Sequence, residues 1–120
     1  MSKILIESSL KSNNEIHYFK GKGIKNNNKI IYQDEKVQTK IVIDNIITIE
    51  RKSDYKLILN LKEGIKLKGK YINNYGTFIV ETIMTKFIKK ENEYEITYKL
   101  MVDEKEIDTF TYKLKFSLDT

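Results

Sequence analysis

The chain has no cysteine and no proline, a single histidine (His17) and a single arginine (Arg51). Without cysteine there are no disulfides and no thiolate metal ligands, and a reducing compartment suits the chain. One histidine with no cysteine falls short of the three or four ligands of a usual zinc site. No stretch approaches the roughly 18 consecutive apolar residues of a membrane helix. The N-terminal MSKILIESSL turns polar after Ile6, too early for the apolar region of a secretory signal. These absences lead to the expectation of a cytoplasmic protein with no membrane segment.

The shortage of arginine also bears on partners. Formal net charge is +5, from 22 Lys and Arg against 17 Asp and Glu, and the cations are lysines apart from Arg51. Sequence-specific nucleic-acid readers favour the bidentate guanidinium fork, whereas lysine is a hydrated point charge. The surplus is read first as a solvated exterior and second as an anion-seeking surface. Nothing matches a phosphate-cradling glycine loop, a dinucleotide fingerprint or a nucleophile elbow.

What is present is alternation. With 120 residues, 40% hydrophobic and 32% charged, residues 1–120 make one globular domain with room for a core. In EYEITYKLMV the apolar positions are Tyr94, Ile96, Tyr98, Leu100 and Val102; in TFTYKLKFSL they are Phe110, Tyr112, Leu114, Phe116 and Leu118. Period two with one apolar face is a strand half buried. Apolar residues must face apolar residues across a hairpin. The expected register sets Leu100 opposite Phe110, Tyr98 opposite Tyr112, Ile96 opposite Leu114, Tyr94 opposite Phe116 and, on the wet face, Glu95 opposite Lys115. It needs a three-residue loop at Glu104-Lys105-Glu106 or a two-residue turn with a bulge.

The rest of the chain follows suit. Strands are expected from Lys3 to Leu10, Glu15 to Ile24, Lys29 to Asp34, Val37 to Asp44, Ile46 to Lys52 and Tyr55 to Leu61. Their turns are SNN (12–14), NNN (26–28), DN (44–45) and RKSD (51–54). IKLKGKY sets Ile65, Leu67, Gly69 and Tyr71 against Lys66, Lys68 and Lys70. In TFIVETIMTKFI the inner face is phased as Phe78, Val80, Thr82 and Met84, with Ile79, Ile83 and Phe87 outside, so that both faces of this strand would be covered. A helix over 77–90 is the competing reading, disfavoured by Thr and Ile at this density. About nine or ten strands with short turns throughout point to an all-β, antiparallel up-and-down meander. Closing it into a barrel of about 8–10 strands removes its edges; a sandwich is the alternative.

YINNYG (71–76) reads as a hairpin corner, because Asn tolerates left-handed backbone and Gly marks bends and close approaches. Tyr71 and Tyr75 would pack beside it; a ligand-contacting loop is the second reading. The surrounding GIKLKGKYINNYGTFIVET resembles the Tyr-Gly corner of the YwiB-like proteins, a family of small bacterial proteins with no established activity. Gly64, Gly69, Tyr71, Tyr75, Gly76 and Thr82 fall in the family's places. The C-terminal hairpin is similar too. Two positions depart: Asn74 stands where the family often has proline, and Asp103-Glu104 where it often has Asn-Gly. The resemblance implies a calycin-like barrel, the architecture of lipocalins and fatty-acid-binding proteins, and implies no activity.

The candidate chemistry is sparse. A Ser-His-Asp arrangement would need His17 to meet Ser8, Ser9, Ser12, Ser53 or Ser117 and an acid, with an oxyanion hole besides; His17 is read as an ordinary strand residue. The acids at Asp34-Glu35, Glu91-Glu93-Glu95 and Asp103-Glu104-Glu106 read as solvated charge, and Glu81 as outward-facing. Three functions follow, in this order. In the first, Tyr71, Tyr94, Tyr98 and Tyr112 line an interior and their hydroxyls orient a small apolar or amphipathic ligand. In the second, the lysine rows Lys66, Lys68, Lys70 and Lys113, Lys115 with interleaved tyrosines bind nucleic acid or a protein. An enzyme comes last, and no cofactor is expected.

Overall fold

The computed structural model describes residues 1–120 as ten antiparallel strands without a helix. They are β1 (Ser2–Lys11), β2 (Ile16–Asn26), β3 (Lys29–Asp34), β4 (Val37–Val42), β5 (Ile47–Lys52), β6 (Lys56–Leu61), β7 (Lys66–Asn73), β8 (Gly76–Lys90), β9 (Glu93–Val102) and β10 (Lys105–Leu118). Each pairs with its successor, and β1 pairs with β10, so the meander closes into a barrel. This is the arrangement the alternation anticipated, and closure gives every strand a neighbour on both sides, although β2 pairs with β3 only from Gly23 to Asn26. No helix is long and apolar enough to cross a membrane.

Period two sorts the side chains. Ile4 and Ile6 of β1, Ile47 and Ile49 of β5, Leu59 and Leu61 of β6 and Ile96 of β9 are buried inside, while Lys66, Lys68 and Lys70 face out. Tyr98 is 5% exposed and Leu114 0%, so the aromatic sides of β9 and β10 share one interior. Burying each such side chain is worth about 1.5–3 kcal/mol, and eighteen of them form one continuous core.

Irregularities account for the differences from the expected pattern. The β9–β10 hairpin turns through Asp103 and Glu104, with φ of 52° and 65°, as a two-residue turn with both central residues left-handed does. A bulge between Glu106 and Asp108 follows. Tyr98 then faces Phe110, Ile96 faces Tyr112, Tyr94 faces Leu114 and Glu95 faces Lys113. The expected faces hold, but the register is displaced by two residues, one full period. Glu95 sits between Lys86 at 2.8 Å and Lys113 at 3.9 Å. A second bulge, between Met84 and Lys86, inverts the phase of β8. Val80, Thr82 and Met84 are inside as expected, but past the bulge Phe87 pairs with Ile96 and packs on the core instead of facing out. Phe78, expected inside, is instead half exposed, because it lies in the third pair from the β7–β8 turn; Ile79 on the outer face is half exposed as well, so that face of β8 is not covered. Glu81 lies opposite Lys68, on the wet side.

Between β6 and β7 the ladder holds only three pairs, from Lys56 with Ile72 to Ile58 with Lys70. Beyond them the Asn60 side chain donates to the Lys68 carbonyl (3.0 Å), and the Thr82 hydroxyl donates to the Asn60 carbonyl (2.6 Å). Gly69 stands where the strands come closest: a Cβ there would lie 2.2 Å from the Ile58 carbonyl oxygen.

Because the meander reverses at every turn, its connections divide between two ends. Loops 12–15, 35–36, 53–55, 74–75 and 103–104 gather at one end, called here the open end. Loops 27–28, 43–46, 62–65 and 91–92 gather with both termini at the other.

Candidate functional site

Following the inward residues of each strand toward the open end, the chemistry changes. In β1, Ile4 and Ile6 give way to Ser8 and Leu10. In β3, Ile30 gives way to Tyr32 and Asp34, and in β4, Ile41 to Thr39. In β5, Ile47 and Ile49 give way to Arg51. The apolar half of the barrel holds most of the buried core. The polar half encloses a cavity of about 210 Å³, bordered by these residues with His17, Glu35, Val37 and Tyr112.

Three contacts organise the cavity. His17 Nε2 lies 2.6 Å from Asp34 Oδ2; a carboxylate only accepts, so this ring nitrogen carries the proton. The Tyr32 and Tyr112 hydroxyls hydrogen-bond to each other. The Arg51 guanidinium sits over the Tyr112 ring, 5.8 Å from its centroid, within cation–π range. Burial drives the Tyr112 hydroxyl well above its ordinary value of 10.0, and the neighbouring Tyr32 hydroxyl adds to this while Arg51 opposes it. Burial likewise pushes Tyr98 up to about 12 against the opposing field of Arg51. Both phenols are therefore neutral donors across the physiological range.

The four tyrosines singled out from the sequence are not one cluster. Tyr112 borders the cavity. Tyr98 stacks on Phe110 (5.4 Å), in the field of Arg51 but not on the cavity wall. Tyr71 is half-buried, stacked on Tyr55 (5.6 Å) and beside Phe78 (6.5 Å). Tyr94 lies toward the far end against Phe116 (5.6 Å), where burial raises its pKa. YINNYG forms the β7–β8 corner at the open end, held by Asn73 Oδ1 accepting from the Tyr75 N–H (2.8 Å). Tyr71 packs as expected, but Tyr75 is 91% exposed, because it stands in the two-residue turn itself.

Sequence reasoning passed over Arg51, which was counted with the RKSD turn, and over the meeting of His17 with Asp34. A usable signal existed for the first: Ile47, Ile49 and Arg51 share one period-two face. For the second there was none, since His17 and Asp34 come from different strands, β2 and β3. Ser8 borders the same cavity but makes no hydrogen bond to His17, so the residues of a nucleophilic triad are neighbours that are not assembled into one.

No protein-family model matches the chain, and no curated protein matches it by sequence. In three dimensions the chain is similar to the ywiB protein from Bacillus subtilis, known from its crystal structure. The TM-score is 0.69 at 15% sequence identity, over 98% of this chain and 91% of that one. At that identity the likeness is one of fold, and it agrees with an all-β barrel over the whole chain.

Proposed function

We propose that this chain belongs with the YwiB-like proteins and binds a small amphipathic molecule at the open end of its barrel. The observation that carries this is the cavity: an inward, polar, unfilled space of about 210 Å³ in a barrel whose other half is packed with isoleucine and leucine. A barrel that needed only stability would continue the apolar packing, because inward polar groups cost desolvation. The size bounds the ligand. At about 30 Å³ per water the space holds roughly seven waters, hence a molecule of on the order of seven to ten non-hydrogen atoms. That is below the range of ~300–1,000 Å³ for drug-sized ligands. Its polar end would meet Tyr32, Arg51 and Tyr112, and its apolar part Leu10 and Val37.

Native mass spectrometry of the purified chain tests this. A retained mass of that size is expected, lost when Ser8→Phe fills the cavity in a chain that still folds. A chain that carries no adduct, and gains none when soaked with a fragment mixture, counts against binding.

Binding to nucleic acid draws on the outward row Lys66, Lys68 and Lys70. It is less favoured because the tyrosines of β7, β9 and β10 point into the barrel, away from those lysines. Stacking and charge would have to come from opposite faces of the sheet, whereas single-strand binding combines them on one.

A further inference from the structure

We propose that the molecule taken up at the open end is an oxyanion, a small organic monocarboxylate, and that Arg51 is its receptor, with the Tyr32–Tyr112 hydroxyl pair as a neutral donor beside it. This rests on the binding function above and adds its chemical class.

Arg51 is the only arginine in a chain with 22 Lys and Arg, and the phase of β5 turns it inward, between Thr39 of β4 and Leu57 of β6. It takes part in none of the ion pairs and in none of the side-chain hydrogen bonds. Two of the three acids at the same rim are engaged elsewhere, and the third points to solvent. Asp34 is held by His17. Asp108 Oδ1 accepts from the backbone N–H groups of Asn13 (3.1 Å) and Thr109 (2.8 Å). Glu35 stands exposed in the β3–β4 turn. The guanidinium lies over the Tyr112 ring, and a ring face does not use its N–H donors.

A guanidinium fork matches a planar, two-oxygen acceptor. The hydroxyl pair completes the match: one phenolic proton is spent between the two oxygens, and the other remains to donate. A single free positive charge balances a carboxylate. A phosphate monoester, near −2 at neutral pH, would leave an uncompensated charge beside Asp34 and Glu35. Leu10 and Val37 supply the apolar wall for a short chain.

Isothermal titration of the full chain with hexanoate, hexanamide and hexyl phosphate tests this. Hexanoate is expected to bind at least about 30-fold tighter than hexanamide, which has the same shape without the charge, and tighter than hexyl phosphate. Arg51→Met should remove that preference, with a loss of at least about 30-fold for hexanoate. The ligand-free Arg51→Met chain should melt no lower than the parent, because an unpartnered inward charge gives way to an apolar side chain; a receptor differs here from a structural ion. Should Arg51→Met fail to fold, a structural role is indicated and the inference falls. Tyr112→Phe should weaken hexanoate several-fold while leaving the amide unchanged. Equal binding of amide and carboxylate would overturn the anion and leave the cavity as a binding site. Tighter binding of hexyl phosphate would overturn the monocarboxylate. If none of the three binds and no mass co-purifies, binding itself fails and takes this inference with it.

Discussion

Gly69 offers a sharp test of how the barrel is put together. An alanine Cβ there would sit 2.2 Å from the Ile58 carbonyl oxygen and 3.3 Å from Val80 Cγ2, and real Cβ contacts essentially never fall under 3.0 Å. The difference, 3.0 − 2.2 Å, means β6 and β7 must part by about 0.8 Å. The obstacle is backbone, so no rotamer change relieves it. Overpacking of this kind costs about 1–3 kcal/mol. Parting the strands also strains the bond from Asn60 to the Lys68 carbonyl, worth about 1 kcal/mol. Alanine returns about 0.5–1 kcal/mol through the stiffer unfolded chain. The net expectation for Gly69→Ala is a loss of about 2–3 kcal/mol, or roughly 8–12 °C in Tm for a chain of this length. Circular dichroism melts and urea titrations of Gly69→Ala, Gly64→Ala and Gly69→Ala/Val80→Ala measure it. Gly64 has open space around it and a φ of +76°, so its alanine costs only the left-handed backbone, about 1 kcal/mol. Removing the Val80 methyls should give no rescue. A Gly69→Ala chain within about 0.5 kcal/mol of the parent, or one restored by Val80→Ala, would refute close backbone approach as the reason for this glycine.

Other outcomes follow from the same geometry. Thr82→Val removes the donor to the Asn60 carbonyl and should cost about 1–2 kcal/mol in urea unfolding, with Thr82→Ser closer to the parent. Asp103→Asn with Glu104→Gly places in the last hairpin the residues its left-handed turn favours, and should stabilise by about 0.5–1 kcal/mol on thermal melts. Tyrosinate absorbance should show Tyr98 and Tyr112 titrating late, Tyr98 near about 12. Since these phenols lose their protons at about 10 when unfolded but later when folded, the unfolded chain binds fewer protons above pH 10. Stability is therefore full below pH 10 and falls as pH rises through that window; a stability flat from pH 10 to 12 would contradict it.

Period two is a local property, and it was enough to show about nine or ten strands and the apolar face of most of them; a closed barrel was the preferred arrangement, with a sandwich as the alternative, and the structure decides for the barrel. Burial of Ile96, Tyr98 and Leu114 was legible for that reason: each lies in a run whose alternation no helix could satisfy. The expected hairpin register was displaced because register depends on the turn, and an acidic pair, Asp103-Glu104, adopts the left-handed conformation usually given to Asn-Gly. Phe87 was placed on the wrong face because a bulge near Thr85 resets the phase without leaving a residue type that marks it.

The site was the least legible part. Arg51 could have been phased inward from Ile47 and Ile49, but a single inward cation means little until its surroundings are known. Those surroundings come from β1, β2, β3, β4 and β10, and the Tyr32–Tyr112 bond joins residues 80 positions apart. Alternation along the chain determined the strands, their apolar faces and the all-β class. Closure of the barrel decided which residues share an end, and only closure leaves Arg51 facing a cavity in which Asp34 is already held by His17, because contact between distant strands is set by the three-dimensional register and not by spacing along any one of them.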